Sequence, residues 1–171
     1  MIYLKLANLE DAKAEYEALQ KIPAAENGLN NEYADMSETE FVEQALPKMI
    51  ANSRGEDLPE GYVPFSVYFL WDDDKIVGLF HFRHHLCDSL KKHGGHIGYA
   101  TIKEYRGKGY ASKGLKLLLD EVRDKIPEDE FWLDARKDNL ASQKVMLSNG
   151  AYKVDEYEMD GIQYVRMRIK K

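Results

Sequence analysis

Arg106-Gly107-Lys108-Gly109-Tyr110-Ala111 joins a β-rich run, Gly95-His96-Ile97-Gly98-Tyr99-Ala100-Thr101-Ile102, to a stretch from Ala111 to Ile126 with apolar residues at helical spacing. A strand therefore feeds a glycine turn that opens a helix. Gly107 and Gly109 admit backbone angles closed to other residues and let a ligand approach the main chain. Several N–H groups of such a turn can converge on one point, and the partial positive charge of the helix N-terminus adds to them. The stretch is thus suited to an anion, above all a phosphate or pyrophosphate.

Spacing separates the phosphate-binding turns from one another. The chain contains no G-x-x-x-x-G-K-[ST] string, and Gly107-Lys108-Gly109-Tyr110-Ala111-Ser112 lacks the third glycine of G-x-G-x-x-G. What stands is R-x-x-G-x-A, which resembles the pyrophosphate loop of the GNAT superfamily of acyl-CoA N-acyltransferases. Downstream, Phe131-Trp132-Leu133-Asp134-Ala135 reads as a strand, and Asp138 to Gly150 reads as a short helix with an N-x-x-S start at Asn139 and an N-G end at Asn149. Upstream, Arg83-His84-His85-Leu86 and Gly94-Gly95-His96-Ile97-Gly98-Tyr99 are similar to an R-H-x-L…G-G-H-I-G-Y signature of a bacterial branch of that superfamily. The likeness runs from about Pro64 onward.

The resemblance implies an α+β fold in the α/β class: one domain over residues 1–171, with a mixed, mainly antiparallel seven-stranded sheet flanked by about four helices. It implies acetyl transfer from acetyl-CoA to a primary amine by direct attack in a ternary complex. A noncatalytic acyl-CoA sensor is the alternative. The coenzyme residues so implied are Thr101, Ile102, Lys103 and the turn Arg106, Gly107, Lys108, Gly109, Tyr110 and Ala111. Asn139 is expected on the pantetheine arm, with Ser142 and Lys144 beside it, and backbone N–H groups near Ala100 to Ile102 as oxyanion donors. The expected proton carriers are His96, Asp134, His84 and His85. Strand alternation puts His96 on one face with Gly98 and Ala100, and the small residues leave room beside it. Met146 stands where many relatives carry a tyrosine acid, which leaves Tyr99 or unassisted departure of the thiolate.

Composition sets outer bounds. Of 171 residues, 44% are hydrophobic and 32% charged, which fits a globular chain rather than a disordered one. A net charge of −6 argues against general nucleic-acid binding, which draws most of its affinity from a basic face. No apolar run reaches membrane-spanning length and the N-terminus lacks a signal-peptide core, so a cytoplasmic location is expected. The acceptor is an amine of unspecified identity, no membrane partner is expected, and a homodimer is compatible with the sequence. The single cysteine, Cys87, has no evident catalytic partner.

The rest of the chain reads in order as a strand at Ile2 to Leu6, a helix after Asn8, and a loop through Asn27-Gly28. A second helix opens on the capping box Ser37-Glu38-Thr39-Glu40, and Pro47 should kink or shorten it. A hairpin follows around Asp72 to Lys75, and two closing strands meet at Asp160-Gly161. All five histidines, His81, His84, His85, His93 and His96, fall in one segment with Cys87. Zinc favours such ligands, but the spacing of a closed four-ligand site is missing, so no metal is expected. These histidines read as pocket polar groups or proton carriers, with surface positions at strand ends as the alternative for His81 and His93.

Overall fold

A computed structural model describes all 171 residues. In chain order the elements are β1 (Ile2–Leu6), α1 (Ala12–Leu19), β2 (Ala25–Glu26), β3 (Leu29–Asn30), α2 (Glu38–Glu40), a π-helical turn (Phe41–Ala45) and α3 (Leu46–Ser53). Then come β4 (Phe65–Asp72), β5 (Lys75–Arg83), α4 (Asp88–Lys92), β6 (Ile97–Thr101), α5 (Tyr110–Val122), β7 (Glu130–Arg136), α6 (Leu140–Ser148), β8 (Tyr152–Met159) and β9 (Ile162–Lys170). No helix is long and apolar enough to cross a membrane.

The seven long strands form two ladders rather than one, in the orders β1-β4-β5-β6 and β7-β9-β8, with every pairing antiparallel. β6 and β7 touch only where they begin. There His96 N–H donates to the Trp132 carbonyl at 2.8 Å, and beyond that point the strands diverge without further ladder bonds. Gly95 makes this approach possible: its φ is 59°, and a Cβ there would sit 2.3 Å from the Trp132 carbonyl oxygen. The divergence gives the cleft its shape.

Each sheet face has its own apolar cluster. Leu115, Leu118 and Val122 of α5 pack on Phe80, Phe82, Leu133 and Met167, which joins the two ladders from one side. Burying each such leucine stabilises the fold by roughly 1.5–3 kcal/mol. On the other side, α1 and α3 cover β4 and β5 through Leu19, Phe41, Leu46, Met49 and Phe69. Along β7, Phe131, Leu133 and Ala135 are buried while Trp132, Asp134 and Arg136 alternate to the opposite side, which frees Asp134 for the cleft.

Three local features depart from expectation. The segment after α1 carries a two-residue hairpin, β2–β3, turning at Asn27 (φ 52°) and Gly28 (φ 89°). α4 forms where no helix is legible in the sequence. The second helix runs through Pro47 unbroken: the wider π turn, in which Leu46 N–H reaches back to the Phe41 carbonyl, absorbs the proline's missing donor and ring. Its start is as expected, with Ser37 Oγ accepting from Glu40 N–H at 3.2 Å.

Candidate active site

The diverging strands enclose a cleft of about 910 Å³ that reaches from the Arg106–Ala111 turn to Asp134. Its floor is the free edge of β6. Arg83 N–H bonds the His96 carbonyl and Ile102 N–H bonds the Val77 carbonyl, so alternate residues face β5. The backbone groups of Ile97, Tyr99 and Thr101 consequently point away from β5, toward the cleft. Ala100 and Ile102 spend their N–H groups within the sheet, so of the donors expected from Ala100 to Ile102 the Thr101 N–H remains on the cleft side.

The turn itself is open. From Gly107 to Ser112 no backbone N–H has a protein acceptor, and the first helical bond of this region is Lys113 N–H to the Gly109 carbonyl. Gly107 (φ 74°) and Gly109 (φ 79°) hold left-handed angles, with nothing within 4 Å of where a Cβ would stand. A run of exposed donors at a helix N-terminus fits a pyrophosphate in charge and shape. Arg106 borders the same opening. Its Nε donates to the Thr101 carbonyl at 3.0 Å, and its Nη1 lies 3.1 Å from Glu26 Oε1 on the β2–β3 hairpin. Arg106 in turn holds the Glu26 carboxyl below the usual range.

The expected coenzyme residues line the cleft from Thr101 to Lys144, apart from three. Ile102 is buried in the core, Lys103 is exposed outside the cleft, and Lys108 folds over the Tyr105 ring. Asn139 caps α6 by accepting from Ser142 N–H at 3.2 Å, and its Nδ2 has no protein partner. Tyr99 reaches across to Ser142 Oγ at 2.8 Å, and burial pushes its hydroxyl up to about 12. Met146 is buried in the cleft wall and offers no proton.

Of the four expected proton carriers only Asp134 borders the cleft. His96 is fully buried: its Nδ1 accepts from Trp132 N–H at 2.9 Å, which places its proton on Nε2, 3.0 Å from Glu128. Both ring nitrogens are therefore committed, and together with its backbone N–H the residue clamps both main-chain groups of Trp132. Burial lowers its pKa. The room expected beside it is filled by the Phe131 ring. His84 lies outside the cleft, bonded to Ser66 Oγ at 2.7 Å and stacked on Phe82, and burial lowers its pKa too. His85 also lies outside, its Nδ1 3.5 Å from the Leu86 carbonyl. No three metal-ligating side chains are gathered anywhere.

Around Asp134 the structure assembles a cluster that sequence reasoning missed. Asp134 Oδ2 accepts from Gly94 N–H and from the Tyr157 hydroxyl, each at 2.6 Å. The Tyr157 oxygen lies 2.6 Å from His93 Nδ1. Since the tyrosine proton goes to the carboxylate, its oxygen must accept, and His93 carries its hydrogen on Nδ1. His93 Nε2 then keeps a free lone pair, with no protein partner, on a ring that lines the cleft. Tyr164 packs edge-on against that ring at 4.6 Å. Burial and Asp134 raise the Tyr157 pKa, so its proton stays in place. Tyr157 lies 64 residues from His93 in the chain, and no local pattern could pair them.

Residues 2–152 match the family model described as an acetyltransferase (GNAT) domain. No curated protein matches this sequence. Among solved structures, Mycobacterium smegmatis RimJ in complex with CoA-disulfide superposes with a TM-score of 0.72 at 17% identity, over 99% of this chain and 81% of that one. RimL, a ribosomal L7/L12 alpha-N-protein acetyltransferase in complex with coenzyme A, gives 0.71 at 19% identity, over 98% and 92%. The microcin C7 self-immunity acetyltransferase MccE, in complex with acetyl-CoA and AMP, gives 0.71 at 17%, over 99% and 92%. At these identities the likeness is one of fold.

Proposed function

The chain belongs to the GNAT acetyltransferase family, and from that premise we propose that it moves an acetyl group from acetyl-CoA to a primary amine by direct attack in a ternary complex. The observation that carries this reading is the continuity of one cleft, with unpaired turn amides at one end and His93 Nε2 at the other. The turn from Gly107 to Ser112 receives the pyrophosphate, and the free β6 edge receives the extended arm as an added strand would be received. Asn139 Nδ2 and Lys144 supply further donors from α6.

At the far end His93 Nε2 takes a proton from the acceptor ammonium. Tyr157 and Asp134 hold the ring in the tautomer this requires, and Asp134 Oδ2, 3.7 Å from His93 Nδ1, offsets the charge that develops. The amine lone pair then attacks the acetyl carbonyl carbon, with the Thr101 N–H on the cleft edge as a donor to the oxyanion. As the C–N bond is completed the C–S bond breaks and its electron pair leaves with sulfur, while the second proton of the attacking nitrogen passes to the departing thiolate or to water, so that a neutral amide is left. A Tyr99 hydroxyl pushed up to about 12 is a reluctant proton donor to a thiolate whose conjugate thiol has a pKa of roughly 8.5. The sulfur therefore leaves as thiolate, with Tyr99 and Ser142 as hydrogen-bond donors at most.

A screen of amine classes for coenzyme A release, with mass detection of the acetylated product, tests the reading. Tight coenzyme binding with no product from any amine would replace it with an acyl-CoA sensor.

A further inference from the structure

Three arginines border the cleft, and only one lacks an acid partner. Arg106 meets Glu26, and Arg136 donates to Asp138 at 2.9 Å, whereas no carboxylate lies within 4 Å of Arg83. Arg83 ends β5, is partly buried, and donates only through Nη1, to the carbonyls of Gly94 (3.5 Å) and Gly95 (3.3 Å). Its Nε and Nη2 have no protein acceptor. A guanidinium withdrawn from water without a counter-charge is costly, and here burial lowers its pKa while the field of Asp134 opposes that. The free Nε–Nη2 edge is the one that forks onto the two oxygens of a carboxylate.

Its surroundings place that edge with respect to the chemistry. The Gly94 carbonyl accepts from Arg83 while the Gly94 N–H donates to Asp134, so the cation and the Asp134–Tyr157–His93 cluster flank a single residue. His81, two residues before Arg83 on the same strand face, is held near a pKa of about 4 by burial and by Arg83, and is neutral at physiological pH. Arg83 is thus the unpaired positive charge on this part of the wall, since Arg166, which lies over the Tyr157 ring, is paired with Asp155. Resting on the amine-acetylation reading above, we propose that Arg83 binds an anionic group of the acceptor, and that the acceptor is an amine carrying a carboxylate a few bonds from its nitrogen, an amino acid in the simplest case.

The test compares each of the twenty amino acids with its α-amide as acceptor, using the full chain and following coenzyme A release. For the accepted side chain, wild type should favour the acid by about 10- to 100-fold in kcat/KM, chiefly through KM, as expected for a charge-assisted hydrogen-bond pair. Arg83→Gln should bring that ratio toward one, and Arg83→Lys, a point charge without the fork, should keep part of it. Equal use of acid and amide by wild type would overturn the inference. So would an Arg83→Gln variant that slows both equally, because holding the Gly94–Gly95 turn affects both alike. If Arg83→Gln does not fold, the wild-type ratio and the lysine variant decide. If no amine is acetylated, the reading in the previous subsection fails, and calorimetric binding of the same acids and amides to the coenzyme-saturated protein still reads Arg83. Acid binding that is lost in the variant upholds the assignment, and absence of acid binding refutes it.

Discussion

β6 has two very different ends. At its start every polar group is taken: His96 uses its backbone N–H and both ring nitrogens, and Trp132 uses both main-chain groups. Past its far end, the amides from Gly107 to Ser112 have no protein acceptor. The first end is closed, dry and structural; the second is open and waiting for a partner of opposite charge. Two histidines three positions apart repeat the contrast, His96 with no free nitrogen and His93 with one. Saturation of hydrogen-bonding capacity, more than residue type, tells framework from site in this fold.

The largest effect expected from this contrast falls on His93. His93→Gln should lower kcat/KM by about 10²–10⁴-fold while leaving the melting temperature near wild type. Tyr157→Phe should weaken the rate less, because it frees the tautomer without deleting the base. Undiminished turnover in His93→Gln would return the search for the base to Asp134.

At the open end, Gly109→Glu places a carboxylate where the unpaired amides converge. Coenzyme affinity measured by calorimetry should fall at least roughly 100-fold, given several displaced charge-assisted bonds. A folded variant with wild-type affinity would remove the turn from the site.

The same small substitution at both ends sharpens the comparison. Gly95→Ala meets the Trp132 carbonyl oxygen at 2.3 Å with φ 59°, whereas Gly109→Ala meets nothing within 4 Å at φ 79°. Left-handed strain alone costs about 1–2 kcal/mol, and overpacking against backbone adds about 1–3 kcal/mol. Thermal unfolding should therefore separate them, with Gly95→Ala lower by roughly 5–15 °C and Gly109→Ala by only a few degrees.

Glu15 supplies the most selective check, because it carries an orphaned atom away from the candidate site. Its Oε1 accepts from Asn8 N–H at 3.0 Å, its Oε2 has no partner, and burial pushes its pKa up to about 8. Between the unfolded value near 4.5 and about 8 the native state holds the extra proton. Stability from this group is thus full below the lower value and lost as pH rises through the upper one, at up to roughly 1.4 kcal/mol per pH unit. Glu15→Gln should remove that slope in denaturation series between pH 5 and 8, read as the difference from wild type so that His81, which acts in the opposite sense, cancels. If the slope persists, Glu15 is ionised and the group is not orphaned.

Much of this was legible in the chain. β-rich runs around turns located β4, β5, β8 and β9, the apolar stripe located α5, and the two glycines before it located the turn. Strand content does not say where adjacent strands stop pairing; that the strand ending near Thr101 splays from the one holding Asp134 was implied only by the family resemblance. β2–β3 and α4 are too short to show a period. His96 shows the limit most clearly. Its place on the strand was readable, but its loss of both nitrogens depends on Trp132 and Glu128, more than thirty residues away. Asp134 was implied by the family resemblance, and His93 was one histidine among five; their joining through Tyr157 was not legible, because it is purely tertiary.

Arg106 has one guanidinium and two claims upon it. An anion arriving at the turn can recruit it only by taking it from Glu26, so occupancy of the turn and attachment of the β2–β3 hairpin are linked equilibria. By reciprocity, whatever free energy the pair contributes to docking the hairpin is subtracted from the anion's affinity. Both partners are about two-fifths exposed, at 40% and 37%, which puts that quantity at about 0.2–1 kcal/mol and makes it fade with salt. This one tie of the hairpin is weak enough for its own ligand to open, while Leu29 remains packed beside Gly98.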